Sequence, residues 1–186
     1  MQLVRLPGPT VEPVTLAEAK LAARVDGDAF DDLIPGLIAA ARQVAEQECV
    51  RVFAGGVLRA ELRDWPANID IFDVFPIRSV AMSYRDGSTW VAVPEADIEL
   101  VADGFGAVLL PAAGAVWPAL PDVVGRRVRV DITAGPEDAS GVPEGVKLFV
   151  QAQVAYWLRN PEAASDKPQV ASPFLSALLD PARTWL

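Results

Sequence analysis

The chain has 186 residues, 52% of them apolar, with one cysteine, no histidine and a formal charge of −9. A chain of that length buries roughly 70% of its unfolded surface, so one domain or two small lobes can stand without covalent staples. A lone cysteine excludes an intramolecular disulfide, and the lack of histidine removes the commonest metal ligand and the usual neutral-pH base, so zinc sites and histidine triads are excluded.

So acidic a surface repels phosphate, which argues against tight, sequence-blind DNA binding. The one dense basic run, Arg126, Arg127 and Arg129, opens a strand-like stretch and reads as a solvated edge. The first twenty residues carry Arg5, Pro7, Pro9 and Glu12 with no apolar core, unlike a signal peptide. The uncharged run from Gly104 to Pro121 is interrupted by Pro111, Pro118 and Pro121 and reads as strand and turns, not as a membrane helix.

In chain order, Thr15-Leu16-Ala17-Glu18 has the pattern of a capping box and starts a short helix. Asp26-Gly27-Asp28-Ala29-Phe30-Asp31-Asp32 fails as a calcium loop, because Phe30 and Asp31 occupy positions that need a ligand and a turn glycine. Helix capping accounts for those acids instead. A second helix, starting near Asp31 or kinked at Pro35-Gly36, carries Leu33, Leu37, Ala41, Val44 and Ala45 on one stripe. Its alanines permit close approach of another backbone, either a helix partner or a second subunit, and Ala39, Ala40, Arg42 and Gln43 are the candidate subunit contact. Cys49 falls within this helix as a small buried hydrophobe.

From Gly55 the period changes to two. Short strands are expected at Val57 to Leu62, Ile69 to Phe72, Ser79 to Tyr84, Trp90 to Val93, Ile98 to Val101, Val108 to Leu110 and Val128 to Thr133, with hairpin turns at Asp86-Gly87 and Asp103-Gly104. After the linker Gly135 to Gly141, Pro143 and Glu144 open a helix with the stripe Val146, Phe149, Val150, Gln153, Val154 and Trp157, able to cover the second helix. Asn160-Pro161 ends it, Glu162 to Ala171 reads as exposed and mobile, and an apolar tail follows from Pro173.

The expected fold class is therefore α+β: a small helical bundle formed by the N- and C-terminal helices, an inserted antiparallel β-sheet or small barrel, and an extended C-terminal tail. The parts are residues 1–54 (N-terminal helical), 55–135 (inserted β-lobe), 136–171 (C-terminal helix and linker) and 172–186 (apolar tail). Tests for chemistry find little. Gly104-Phe105-Gly106 lacks the rest of a dinucleotide motif, and no phosphate loop occurs. The acid pairs Asp70 with Asp73 and Asp97 with Glu99 read as a solvated strand face. Trp65, Trp90 and Trp117 read as core, whereas Trp185, near the end of the sequence, needs a surface to pack on.

Val14-Thr15-Leu16-Ala17-Glu18-Ala19-Lys20, Asp31-Asp32-Leu33-Ile34 with Leu37 to Arg42, Glu46-Gln47, Phe75-Pro76-Ile77-Arg78-Ser79-Val80, Val142 to Lys147 through Ala155 to Leu158, and Pro173-Phe174 with Leu178 to Arg183 follow one another in a telling order. Together they resemble the head-tail connector (adaptor) proteins of tailed bacteriophages and phage-like particles. The sequence departs from that pattern at Pro35-Gly36 and at Ala182, where an aromatic is common before the arginine. The resemblance implies a non-enzymatic structural subunit without cofactor or metal, made in the host bacterial cytoplasm and seated at the virion neck. It implies a ring of about twelve copies below the portal, joined to a stopper or tail terminator, with DNA passing through the lumen and no membrane involved. The candidate portal-docking residues are Phe174, Leu178, Leu179, Arg183 and Trp185. The alternatives are another neck or tail assembly protein, or a small soluble enzyme or ligand-binding protein with a carboxylate site.

Overall fold

A computed structural model describes residues 2–7, 11–72, 74–102, 106–122, 124–160 and 173–183. The chain divides into two compact units, a β unit of residues 1–9 and 56–135 and a helical unit of residues 10–55 and 136–186.

The β unit contains eight strands: β1 (Leu3–Arg5), β2 (Gly56–Leu62), β3 (Ile69–Phe72), β4 (Ile77–Asp86), β5 (Thr89–Ala92), β6 (Ile98–Ala102), β7 (Gly106–Pro111) and β8 (Val128–Ala134). They form two open antiparallel sheets, ordered β1-β2-β8-β4-β5 and β3-β7-β6. The seven strands read from the sequence are all present. β1 is additional: three residues are too few to show a period, and they become a strand through pairing with Leu58 to Ala60 of β2, which takes the start of the chain out of the helical part. Strict alternation on β8 buries Val128, Val130, Ile132 and Ala134 and turns Arg129, Asp131 and Thr133 to the other face. Gly87, with φ of +58°, makes the two-residue turn between β4 and β5, where glycine adopts a left-handed conformation at no steric cost. The turn expected at Asp103-Gly104 lies outside the described residues, as do Asp73 and the segment Glu162 to Ala171.

The arginine run does not lie on an edge. β8 sits between β2 and β4, and Arg127 and Arg129 are held by neighbouring strands and turns. Arg127 pairs with Asp64 and donates to the carbonyls of Arg63 and Pro121. Arg129 pairs with Glu61 at 2.9 Å and lies 3.9 Å above the Trp90 ring. Beside it Arg59 makes a two-pronged bond to Asp131, 2.6 Å on each prong. Trp65 and Trp117 stack with centroids 5.0 Å apart, and Trp65 Nε1 donates to the Pro118 carbonyl.

The helical unit holds α1 (Leu16–Ala23), α2 (Ile34–Cys49), α3 (Glu144–Arg159) and α4 (Pro173–Ala177). The capping box at α1 is present: Thr15 Oγ1 accepts from the Glu18 amide at 3.2 Å and Glu18 Oε2 accepts from the Thr15 amide at 2.8 Å. α2 starts at Ile34, two to three residues past the expected start near Asp31 or Asp32, which puts Pro35 within the first turn, where its missing N–H costs nothing. The acids before α2 do not cap it. No side chain caps that end, and Asp31 instead pairs with Lys20 at 2.5 Å. The expected stripe is largely kept: Ala41 and Ala45 are buried and Leu37 and Val44 pack against the core, with Ile34, Ile38 and Cys49 joining the inward face and Leu33 half exposed.

α2 and α3 pack together, as do α1 and α3. Their shared core joins Ala41, Ala45 and Cys49 to Val146, Phe149, Val150 and Val154. Alanine at Ala41 and Ala45 leaves room for the partner's larger side chains at close approach. Val50 ends α2 in the left-handed region, φ of +55°, an unfavourable place for a β-branched residue. What holds it there is Glu46, whose Oε1 accepts from the amides of Phe53 and Ala54 at 2.8 and 3.1 Å.

Candidate functional site

Among the described residues there is no grouping of acids, cysteine or histidine that could hold a metal, and no helix long and apolar enough to cross a membrane. Cys49 is fully buried, and burial pushes its thiol up to about 11, so it is protonated at neutral pH and its Sγ lies 3.8 Å from the Leu179 carbonyl.

Of the four candidate subunit-contact residues on α2, Gln43 is exposed and Ala39 and Ala40 are half-buried. Arg42 is a correction, for it is only 5% exposed. Its Nε donates to Glu12 at 2.8 Å and its Nη1 to Glu46 at 2.5 Å, so the guanidinium ties the segment before α1 to the far half of α2. A charge buried this deeply needs both carboxylates to offset its desolvation, and none of it is left to present to a neighbour. From the sequence, Arg42 four residues before Glu46 reads as an ordinary solvated helix pair; the added partner, Glu12, is thirty residues away.

The C-terminal candidates divide. Phe174 on α4 is 72% exposed. Leu179 is fully buried and belongs to the helical core, with Leu178 packed against it, which differs from the free apolar tail expected. Arg183 stands at the end of a short 3-10 turn, Asp180–Ala182, and donates to Asp180 at 2.5 Å, to Glu48 at 2.6 Å and to Ser176 Oγ at 2.7 Å. The bond to Glu48 shifts the Arg183 pKa upward, so the cation is permanent. Trp185 lies outside the described residues.

Gly145 explains how the segment fits. A Cβ there would lie 2.3 Å from the Leu178 carbonyl oxygen, so only glycine lets the chain cross the first turn of α3 this closely. A glycine inside a helix start was the one available signal of that crossing. Along the C-terminal half of α3, a groove of about 490 Å³ is lined by Ala22, Ala152, Ala155, Tyr156, Arg159, Asn160 and Leu175. Small apolar side chains floor the groove, and it holds no convergent acid or nucleophile, so its chemistry is that of contact.

No protein-family model and no curated protein matches the sequence. Solved structures do. The whole chain superposes on 97% of a chain from the neck of an empty gene transfer agent (GTA) particle computed with C6 symmetry, at 24% identity and a TM-score of 0.77. A chain of the native GTA virion gives 24% identity and 0.75, again with 100% of this chain and 97% of that one covered. The neck of a native GTA particle computed with C12 symmetry gives 25% and 0.70 at the same coverage. The α+β architecture derived above, an antiparallel β unit interrupting a helical one, is thus the fold of a chain from the neck of a phage-like particle.

Proposed function

We propose that this protein is a structural, non-enzymatic subunit of a virion neck, and specifically the head-tail connector that forms a ring below the portal and joins it to the next neck or tail component. The observation that carries the reading is the end-to-end likeness to neck chains, which leaves no part of this chain unaccounted for. The symmetry of those necks supports a ring of copies as the working state, and the order of sequence segments supports the connector position within the neck.

In this reading the helical unit faces the portal. Phe174, exposed on α4 beside the groove floored by Ala22 and Ala152, is the apolar anchor, and Arg183 holds the segment in place through Glu48. Leu178 and Leu179 contribute by packing α4 against α3 and not by contact with the partner. A formal charge of −9 suits a lumen through which the duplex slides without a grip on its phosphates. The test is co-sedimentation of the full chain with portal rings. Binding by the natural chain, lost in Phe174→Asp with the fold intact by circular dichroism, is the expected result; a natural chain that never associates with portal overturns the reading.

A further inference from the structure

The β unit carries two exposed features, the outer face of its smaller sheet and the connection from β7 to β8, that are complementary in charge and both partly apolar. On β3-β7-β6 the buried face consists of Ile69, Ile71, Ala107 and Leu109, so alternation sends Asp70, Phe72, Val108, Leu110, Glu99 and Val101 to the outer face. Phe72 is 67% and Val101 49% exposed. Phe72 reaches over Gly106, where a Cβ would stand 3.5 Å from its ring and 2.7 Å from the Ile71 carbonyl oxygen. The row Asp70, Val108, Val101 runs across the three strands beside it, and Glu99 stands opposite Leu110. This face is apolar at its centre and acidic at its rim.

The second feature is the connection from β7 to β8. Val116 is 83% and Val124 98% exposed, and Arg126 is exposed and makes no ion pair among the described residues, in contrast to Arg127 and Arg129. The stack of Trp117 on Trp65 and the pairing of Arg127 with Asp64 pin this connection to the residues that lead into Ile69. Phe72 lies at the other end of β3, about 10 Å further along at ~3.3 Å per residue.

We propose that Val116, Val124 and Arg126 of one copy seat on the outer face of β3-β7-β6 of the next, with Val124 against Phe72 and Val101 and with Arg126 between Asp70 and Glu99. The contact is heterologous: each copy uses one surface as donor and the other as acceptor, and so it propagates from copy to copy and closes only where the rotation per step allows. In a chain of strong negative charge, an exposed arginine beside exposed valines is complementary to an acid-rimmed apolar face. The inference rests on the ring reading given above and names the contact that builds the ring.

The test is disulfide trapping in the full chain carrying Phe72→Cys and Val124→Cys. Both sites are exposed, so neither change opens the core, and Cys49 is buried beyond reach. Oxidation is expected to give a ladder of linked copies extending past the dimer, whereas each single variant stops at dimers. Adding Arg126→Glu should reduce ladder yield at least tenfold, and Asp70→Arg with Glu99→Arg should restore it. No ladder, or one that Arg126→Glu leaves unchanged, overturns the proposal. Portal co-sedimentation run in parallel separates the two ideas: portal binding without a ladder removes this contact and leaves the connector reading standing, and a ladder without portal binding does the reverse.

Discussion

Two helical glycines offer opposite outcomes from the same substitution. Gly36, in the first turn of α2, has nothing within 4 Å of the place a Cβ would take, so Gly36→Ala should show only the intrinsic helix preference, a gain of about 0.5–1 kcal/mol. Gly145, in the first turn of α3, would place its Cβ 2.3 Å from the Leu178 carbonyl oxygen, about 1 Å inside contact distance. The C-terminal segment must then move, and with it Leu179, which fills the core beside Cys49 and Val146. Overpacking of this kind costs about 1–3 kcal/mol. Less the helix gain of about 1 kcal/mol, Gly145→Ala should destabilise by up to about 2 kcal/mol. Urea denaturation followed by circular dichroism measures both, and the same pair in a chain shortened after Asn160 isolates the crossing, because there Gly145→Ala should cost nothing. If both substitutions stabilise the full chain equally, the seating of Leu178 and Leu179 on α3 is wrong.

Other expectations follow from particular contacts. Arg42→Ala should cost about 3–5 kcal/mol, because it leaves Glu12 and Glu46 without their cation, whereas Gln43→Ala on the next position should stay within about 0.5 kcal/mol; equal small losses in denaturation would show Arg42 to be solvated. Thr15→Ala should cost about 1 kcal/mol at pH 7. Bonds from the Thr15 amide and hydroxyl lower the Glu18 pKa, so this stabilisation is present above the ordinary glutamate value of about 4.3 and disappears as pH falls through the lower folded value. The difference between Thr15→Ala and the natural chain should therefore narrow in acid, and a gap that widens there contradicts the capping box. Cys49 should react with maleimide only as fast as the helical unit opens, with urea accelerating it in parallel with loss of helix signal; rapid labelling of the native chain would mean that Leu179 does not cover it.

The period of the sequence made every strand of four or more residues legible, since Val128 to Ala134 and Ile69 to Phe72 alternate cleanly. Sheet order was not legible: nothing in Arg126 to Val130 says that β8 lies between β2 and β4, and so a paired interior strand read as a solvated edge. β1 is shorter than one full alternation and takes its form from β2. The α2 stripe was legible at Leu37, Ala41, Val44 and Ala45, and it missed Ile34 and Ile38 at its margin, because the 3.6-residue period fixes the middle of a helix face better than its edges. Leu179 and Arg42 share one cause. Their partners, Val146 and Glu12, are remote in sequence, and a segment's apolar content says that it must be covered without saying by what. Among the described tail candidates, Phe174 is the one that is largely exposed, because its neighbours in sequence and not its own side chain fill the core.

The inserted segment begins and ends on neighbouring strands: Gly56, its first residue, stands opposite Ala134, its last but one, at the foot of the β2–β8 ladder. Two of the three passages of the polypeptide between the units, after Gly55 and before Pro136, are therefore made at points only about 5 Å apart. A bridge of about two residues could replace everything between them. Such a doorway makes residues 56–135 a cassette: they can lengthen or be exchanged without changing the path from α2 to α3, provided that the edge of β2 on which β1 pairs is kept, so the two units are free to diverge at different rates.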